Sequence, residues 1–169
     1  MLISEKLAKA INQQVGNEFG ASLEYVNIAS YFESEDMLHF AQVFFDQADE
    51  ERDHAMKFVR YLLETGAKVA IPAIPEPRSD YASAEDAVAA ALSWEETVTE
   101  QINGLMDIAH EEKDYIAQDF LNWFVTEQLE EISKMSTILN IIRRAGDNLL
   151  LAETYVVDIL AQMVAAEGG

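Results

Sequence analysis

Cysteine is absent from the 169 residues, which excludes disulfides, thiolate metal sites and a thiol nucleophile. Basic side chains are scarce: 11 Lys and Arg stand against 31 Asp and Glu, for a formal charge of −20. A nucleic-acid partner needs a basic footprint for its phosphates, so that class of ligand is excluded. An acidic surface instead concentrates cations, although charge alone serves equally well for solubility. No apolar run is read as approaching the ~20 residues of a membrane span. The N-terminus, Met1-Leu2-Ile3-Ser4-Glu5-Lys6, lacks the basic region and apolar core of a signal peptide. The expectation is a cytoplasmic chain with no membrane partner. Half of the residues are hydrophobic, too many for a disordered acidic tail, and the length suits a single domain.

The three prolines, Pro72, Pro75 and Pro77, fall in one stretch. No segment sustains the period-2 alternation of a strand, and helical spacing prevails elsewhere. The spacing predicts helices over about 4–32, 37–63, 83–112, 115–145 and 148–165 within one domain, 1–169. Their punctuation is Ser4, Thr65-Gly66, the capping-box-like Ser83-Ala84-Glu85-Asp86, Lys113-Asp114, and Gly146 as C-cap followed by Asp147 as N-cap. On the first helix Leu7, Ala10, Ile11, Phe19, Leu23, Val26 and Ala29 are expected to face the core. The first two helices are each about 40 Å long at 1.5 Å per residue. The segment 66–83 reaches about 55 Å at ~3.3 Å per residue, enough to run the length of such a bundle. The fold class is therefore all-α: a four-helix bundle with one long crossover plus a short fifth C-terminal helix. An interdomain linker is the competing reading of 66–83, but neither side of it makes a complete domain.

The second helix carries Glu51-Arg52-Asp53-His54, and a Glu and a His three apart share one helical face. In so acidic a chain that pair alone is weak. The other helices add to it. Glu18 sits among Gly16, Phe19 and Gly20, with Tyr25 seven residues on; Glu95 follows Trp94; and Glu127-Gln128-Leu129-Glu130-Glu131 follows Leu121, Trp123 and Phe124. Uncompensated carboxylates in a bundle core cost several kcal/mol each, so such a cluster calls for bound cations. Oxygen ligands with an imidazole suit Fe(II), Mn(II) or Mg(II). Di-iron bundles use a Glu from each of two helices and a Glu-x-x-His from each of the other two. Here Glu130 stands where the second His belongs, so the second metal position is all oxygen.

Three segments carry a resemblance that spans almost the whole chain. Ala48-Asp49-Glu50-Glu51-Arg52-Asp53-His54-Ala55, Trp94 to Ile102, and Phe120 to Gln128 resemble, in order and spacing, the motifs of non-haem ferritins of prokaryotic type. The resemblance implies an iron-storage protein with ferroxidase activity: Fe(II) oxidised by O2 or H2O2 at a di-iron centre, then held as a ferric oxyhydroxide mineral in a homo-oligomeric 24-subunit cage. By position it implies that Glu18, Glu51 and His54 bind the first iron. Glu51 bridges to the second, which Glu95, Gln128 and Glu131 approach. Glu50, Glu127 and Glu130 match a third, peripheral iron position. Tyr25 matches a tyrosine beside the centre, a donor of an electron or a hydrogen bond and a catalytic candidate with Glu51 and His54; an ordinary core tyrosine is the competing reading. Bacterioferritins carry a His where Glu130 stands and a haem-ligating Met where Arg52 stands, so no haem is expected. Two readings of the fifth helix stand open, lining a symmetry axis or folding back over its own bundle. A rubrerythrin-like di-iron peroxidase or oxidase, or a non-catalytic acidic helical scaffold, are the competing functional readings.

Overall fold

A computed structural model describes residues 1–167. Capping side chains set three of the helix starts. Ser4 accepts a hydrogen bond from Leu7 N at 3.0 Å and opens α1 (Glu5–Ser34). Ser83 accepts from Asp86 N at 3.1 Å to open α3 (Ala84–Glu111), and Asp114 accepts from Ala117 N at 3.0 Å to open α4 (Tyr115–Ala145). Each such cap contributes about 1 kcal/mol. The Asp86 carboxylate does not close a reciprocal capping box; it accepts from Ala82 N at 2.9 Å and pairs with Arg78.

Helix α2 (Leu38–Glu64) starts differently, because its N-cap, Met37, has no capping side chain. The acceptor comes from α5 (Leu149–Glu167), whose buried Glu153 takes hydrogen bonds from His39 N at 3.1 Å and Phe40 N at 2.8 Å. Gly146 adopts φ +53 at the end of α4. The reading of Asp147 as the N-cap of α5 is corrected, since Asn148 stands immediately before the helix.

The α1–α2 and α3–α4 pairs pack as two hairpins, joined through α1 against α3. The crossover between them climbs along α1. Asn12 donates to Lys68 O at 2.9 Å, Pro72 lies on Gly16, Ile74 nears Gly20, and Asn27 donates to Arg78 O at 2.9 Å. A Cβ on Gly16 would lie 2.6 Å from Pro72 Cγ, so this close approach requires glycine. Tyr81 then meets Tyr31 edge-on at 5.7 Å between ring centroids. The chain is thereby returned to the far end of the bundle before α3 begins, and the all-α bundle with long crossover and short fifth helix is the observed fold.

The apolar core falls into two clusters. One, around Phe32, Phe40, Phe44 and Ile138, fills the end nearest α5; the other, around Leu7, Ile11, Phe58, Leu62 and Phe124, fills the opposite end. Every bundle helix passes from one cluster to the other. Between them each presents buried polar residues: Glu18, Glu51 and His54, Glu95, and Gln128 and Glu131.

Two expectations are overturned. Leu23 and Val26 are exposed, 44% and 39%. At ~100° per residue Leu23 lies about 160° around the helix from Leu7, and the inner face is held instead by Val15, Glu18, Tyr25 and Ile28. The expectation of no span-like apolar run also fails. Leu149–Ala166 has a mean hydropathy of 1.6, apolar enough by length and composition to cross a membrane. Glu153 and Asp158 are the only charged residues in that run, and only 17% of it is buried within the chain.

Candidate metal centre

Backbone register along four helices brings the polar layer together. Glu18 on α1 and Glu51 and His54 on α2 place one donor atom each within 4.8 Å of one another. Glu51, Glu95 on α3 and Glu131 on α4 do the same. Glu51 belongs to both groups, and all five residues are buried. The arrangement offers two adjoining cation positions with a shared carboxylate, the first including an imidazole and the second built of oxygen alone.

Hydrogen bonds orient these buried side chains. Gln14 donates to Glu18 Oε1 at 2.8 Å. Gln47 donates to Glu51 Oε1 at 3.0 Å and to Glu131 Oε2 at 2.6 Å. Gln128 donates to Glu95 Oε2 at 3.1 Å and to Thr99 Oγ1 at 3.2 Å. The hydroxyl of Tyr25 donates to Glu95 Oε1, so Tyr25 touches the centre rather than only filling the core. Gln14 and Gln47 were not among the residues singled out from the sequence. Their signal was present, a Gln four residues before each of Glu18 and Glu51, the i,i+4 spacing that lets the side chains meet.

The peripheral acids adjoin this layer without belonging to its two donor groups. Glu127 lies 3.7 Å from His54 Nε2, and Glu50 accepts from Lys134 at 3.1 Å. Together with Glu130 they line a cavity of about 180 Å³ beside Leu160 and Met163 of α5.

Electrostatics show what the buried layer lacks. Burial, reinforced by the nearby Glu51 carboxylate, pushes Glu18 well above the usual carboxylate range. Burial does the same to Glu131 against the opposing pull of Lys134. Glu95 is pushed up to about 7, by burial and then by Glu51. Burial pulls the His54 imidazole down, but the Glu127 and Glu51 carboxylates outweigh it and carry the group up to about 11. Glu18 Oε2 is buried with no hydrogen-bond partner. Such an orphaned oxygen among buried acids fits a seat for a cation, whose binding would displace the protons that the raised carboxyl groups hold.

A helical bundle lined at mid-length by carboxylates in two overlapping groups defines the class of carboxylate-lined four-helix metal proteins. The chain belongs to the Ferritin-like domain family, which it matches over residues 8–145. It is 39% identical over 163 residues to ferritin BfrB of Mycobacterium tuberculosis, covering 96% of this chain and 90% of that one. It is 37% identical over 147 residues to the bacterial non-heme ferritin of Staphylococcus aureus, covering 87% and 89%. The open-pore ferritin of Archaeoglobus fulgidus superposes with a TM-score of 0.88 at 34% identity, covering 91% of this chain and 96% of that one.

Proposed function

We propose that the chain is an iron-storage subunit that oxidises Fe(II) at an intrasubunit pair of metal positions and stores the product as a ferric oxyhydroxide mineral. The observation that carries this reading is the shared Glu51, which belongs to two buried groups whose donor atoms lie within 4.8 Å of one another in each. Iron is the substrate. Glu18, Glu51 and His54 receive one Fe(II); Glu51, Glu95 and Glu131 receive the other, with Gln128 and Tyr25 holding Glu95 in place. Each Fe(II) loses one electron, and O2 takes both with two protons to give H2O2; with H2O2 as oxidant the product is water. The chain contributes proximity, charge neutralisation and dry surroundings. Glu50, Glu127 and Glu130 form a peripheral acid site beside the pair.

The mineral requires an enclosure, and membership of the ferritin family supports a homo-oligomeric cage of 24 copies working in the cytoplasm. The exposed apolar side chains of α5, Leu150, Leu151, Tyr155 and Val164, suit burial between subunits rather than over the helix's own bundle.

The test is addition of Fe(II) in air. The protein is expected to turn amber and stay soluble, and a variant carrying both Glu51→Ala and His54→Ala is expected to lose the fast oxidation phase. Unchanged oxidation kinetics in that variant would refute the site.

A further inference from the structure

Among the described residues one basic side chain, Lys134, enters the 180 Å³ cavity that gathers Glu50, Glu127, Glu130 and Glu131. Lys134 follows Glu131 by three residues on α4, so the two share a helical face. Its ammonium donates to Gln47 Oε1 at 2.6 Å and to Glu50 Oε2 at 3.1 Å, and lies 3.7 Å from Glu131 Oε2. The side chain is only 24% exposed. At 3.1 Å the ammonium supplies to Glu50 the compensating charge that a divalent cation among the peripheral acids would supply, and the two cannot both pair with Glu50 without strong repulsion. Glu131, 3.7 Å away and not hydrogen-bonded to the lysine, stays available to the second metal position. The lysine also reaches the main centre. Because Gln47 Oε1 accepts from Lys134, the amide nitrogen of Gln47 is turned toward Glu51 and Glu131.

We infer that Lys134 is a tethered cation occupying the peripheral carboxylate position, so that each subunit takes up two metal ions and a third is excluded. The inference rests on the two-metal reading above and adds to it a residue that sets stoichiometry. It also assigns Lys134 a positioning role, acting through Gln47 on the carboxylates of the second metal position.

The experiment is calorimetric titration of the full-length assembled protein with Zn(II), which takes no part in redox chemistry. The unaltered protein is expected to bind two ions tightly per subunit. Lys134→Met, which keeps the apolar stem and removes the charge, is expected to gain a third, bound about tenfold or more tighter than any third ion in the unaltered protein. Adding Glu50→Gln to Lys134→Met should abolish the gain. Lys134→Gln, which retains a donor for Glu50 without charge, is expected to behave as Lys134→Met does, and it carries the test if the methionine variant does not fold. Two ions per subunit with unchanged affinities in the uncharged variants would overturn the role of Lys134 and leave the two-metal reading standing. No tight Zn(II) in the unaltered protein would overturn the two-metal reading itself.

Discussion

Glu153→Ala removes what is, among the described residues, the only side-chain acceptor found at the start of α2. Met37 contributes no cap, and the Phe40 amide, bonded to Glu153 Oε1 at 2.8 Å, is buried. Hydrogen bonds to a charged acceptor contribute about 1.5–3 kcal/mol each, and an orphaned buried donor costs about as much. Water can take over part of the His39 amide, whose bond is only partly buried. The loss against the first turn of α2 is therefore about 2–4 kcal/mol. Native-state hydrogen exchange reads it directly, as exchange about 30- to 1,000-fold faster at the Phe40 amide. Helix α5 buries little of itself within the chain, so its own amides should exchange faster as well. Glu153→Gln keeps an oxygen acceptor without charge and should fall between. Asp158→Ala, on an exposed position of the same helix, should leave Phe40 alone. Unchanged Phe40 exchange in Glu153→Ala would show that the carboxylate does not cap α2.

Three further outcomes follow from the same physics. Glu18, Glu95 and Glu131 have raised folded-state values, so the metal-free fold binds protons that the unfolded chain releases. Its stability is then greatest at low pH and falls as pH rises from the usual 4.5 through about 7. Metal must displace those protons, so affinity for Zn(II) should climb over that window and binding at pH 6 should release protons into weakly buffered solution; no release would contradict it. Gly16→Ala should destabilise by about 1 kcal/mol, because the clash with the rigid Pro72 ring exceeds the gain in helix propensity. Gly104→Ala, with nothing within 4 Å of the new Cβ, should stabilise by up to about 1 kcal/mol; thermal melts giving both variants the same sign would refute the crossover contact. Truncation after Arg144 should leave a folded, iron-oxidising protein that fails to form full cages, and an intact shell in size-exclusion chromatography would sink that expectation.

The bundle was legible because its signals are local: serine and aspartate caps, prolines confined to one segment, and helical spacing elsewhere. The Glu51–His54 pair was legible because a ligand pair on one helix has a fixed spacing. Leu23 and Val26 misled, since an apolar-stripe reading assigns polar residues to solvent, whereas the middle of α1 turns Gln14 and Glu18 inward. The buried carboxylate layer inverts the hydrophobic pattern where the four helices meet. Glu153 and Lys134 were illegible for another reason. Each acts across more than 80 residues of sequence, on His39 and Phe40 in one case and on Gln47 and Glu50 in the other. Nothing in their own neighbourhoods distinguishes them from surface charges.

The long crossover has a consequence for when the chemistry can begin. It separates two hairpins, and each brings part of the donor layer: Glu18, Glu51 and His54 from the first, Glu95 and Glu131 from the second. Because Glu51 of the first hairpin completes the second group, a half-made chain emerging from the ribosome carries the first donor group alone and cannot form the second. On the function proposed above, a pair of ions would be seated only after α3 and α4 have docked, and the topology would act as a maturation checkpoint that keeps electron transfer to oxygen from starting on an unfinished polypeptide.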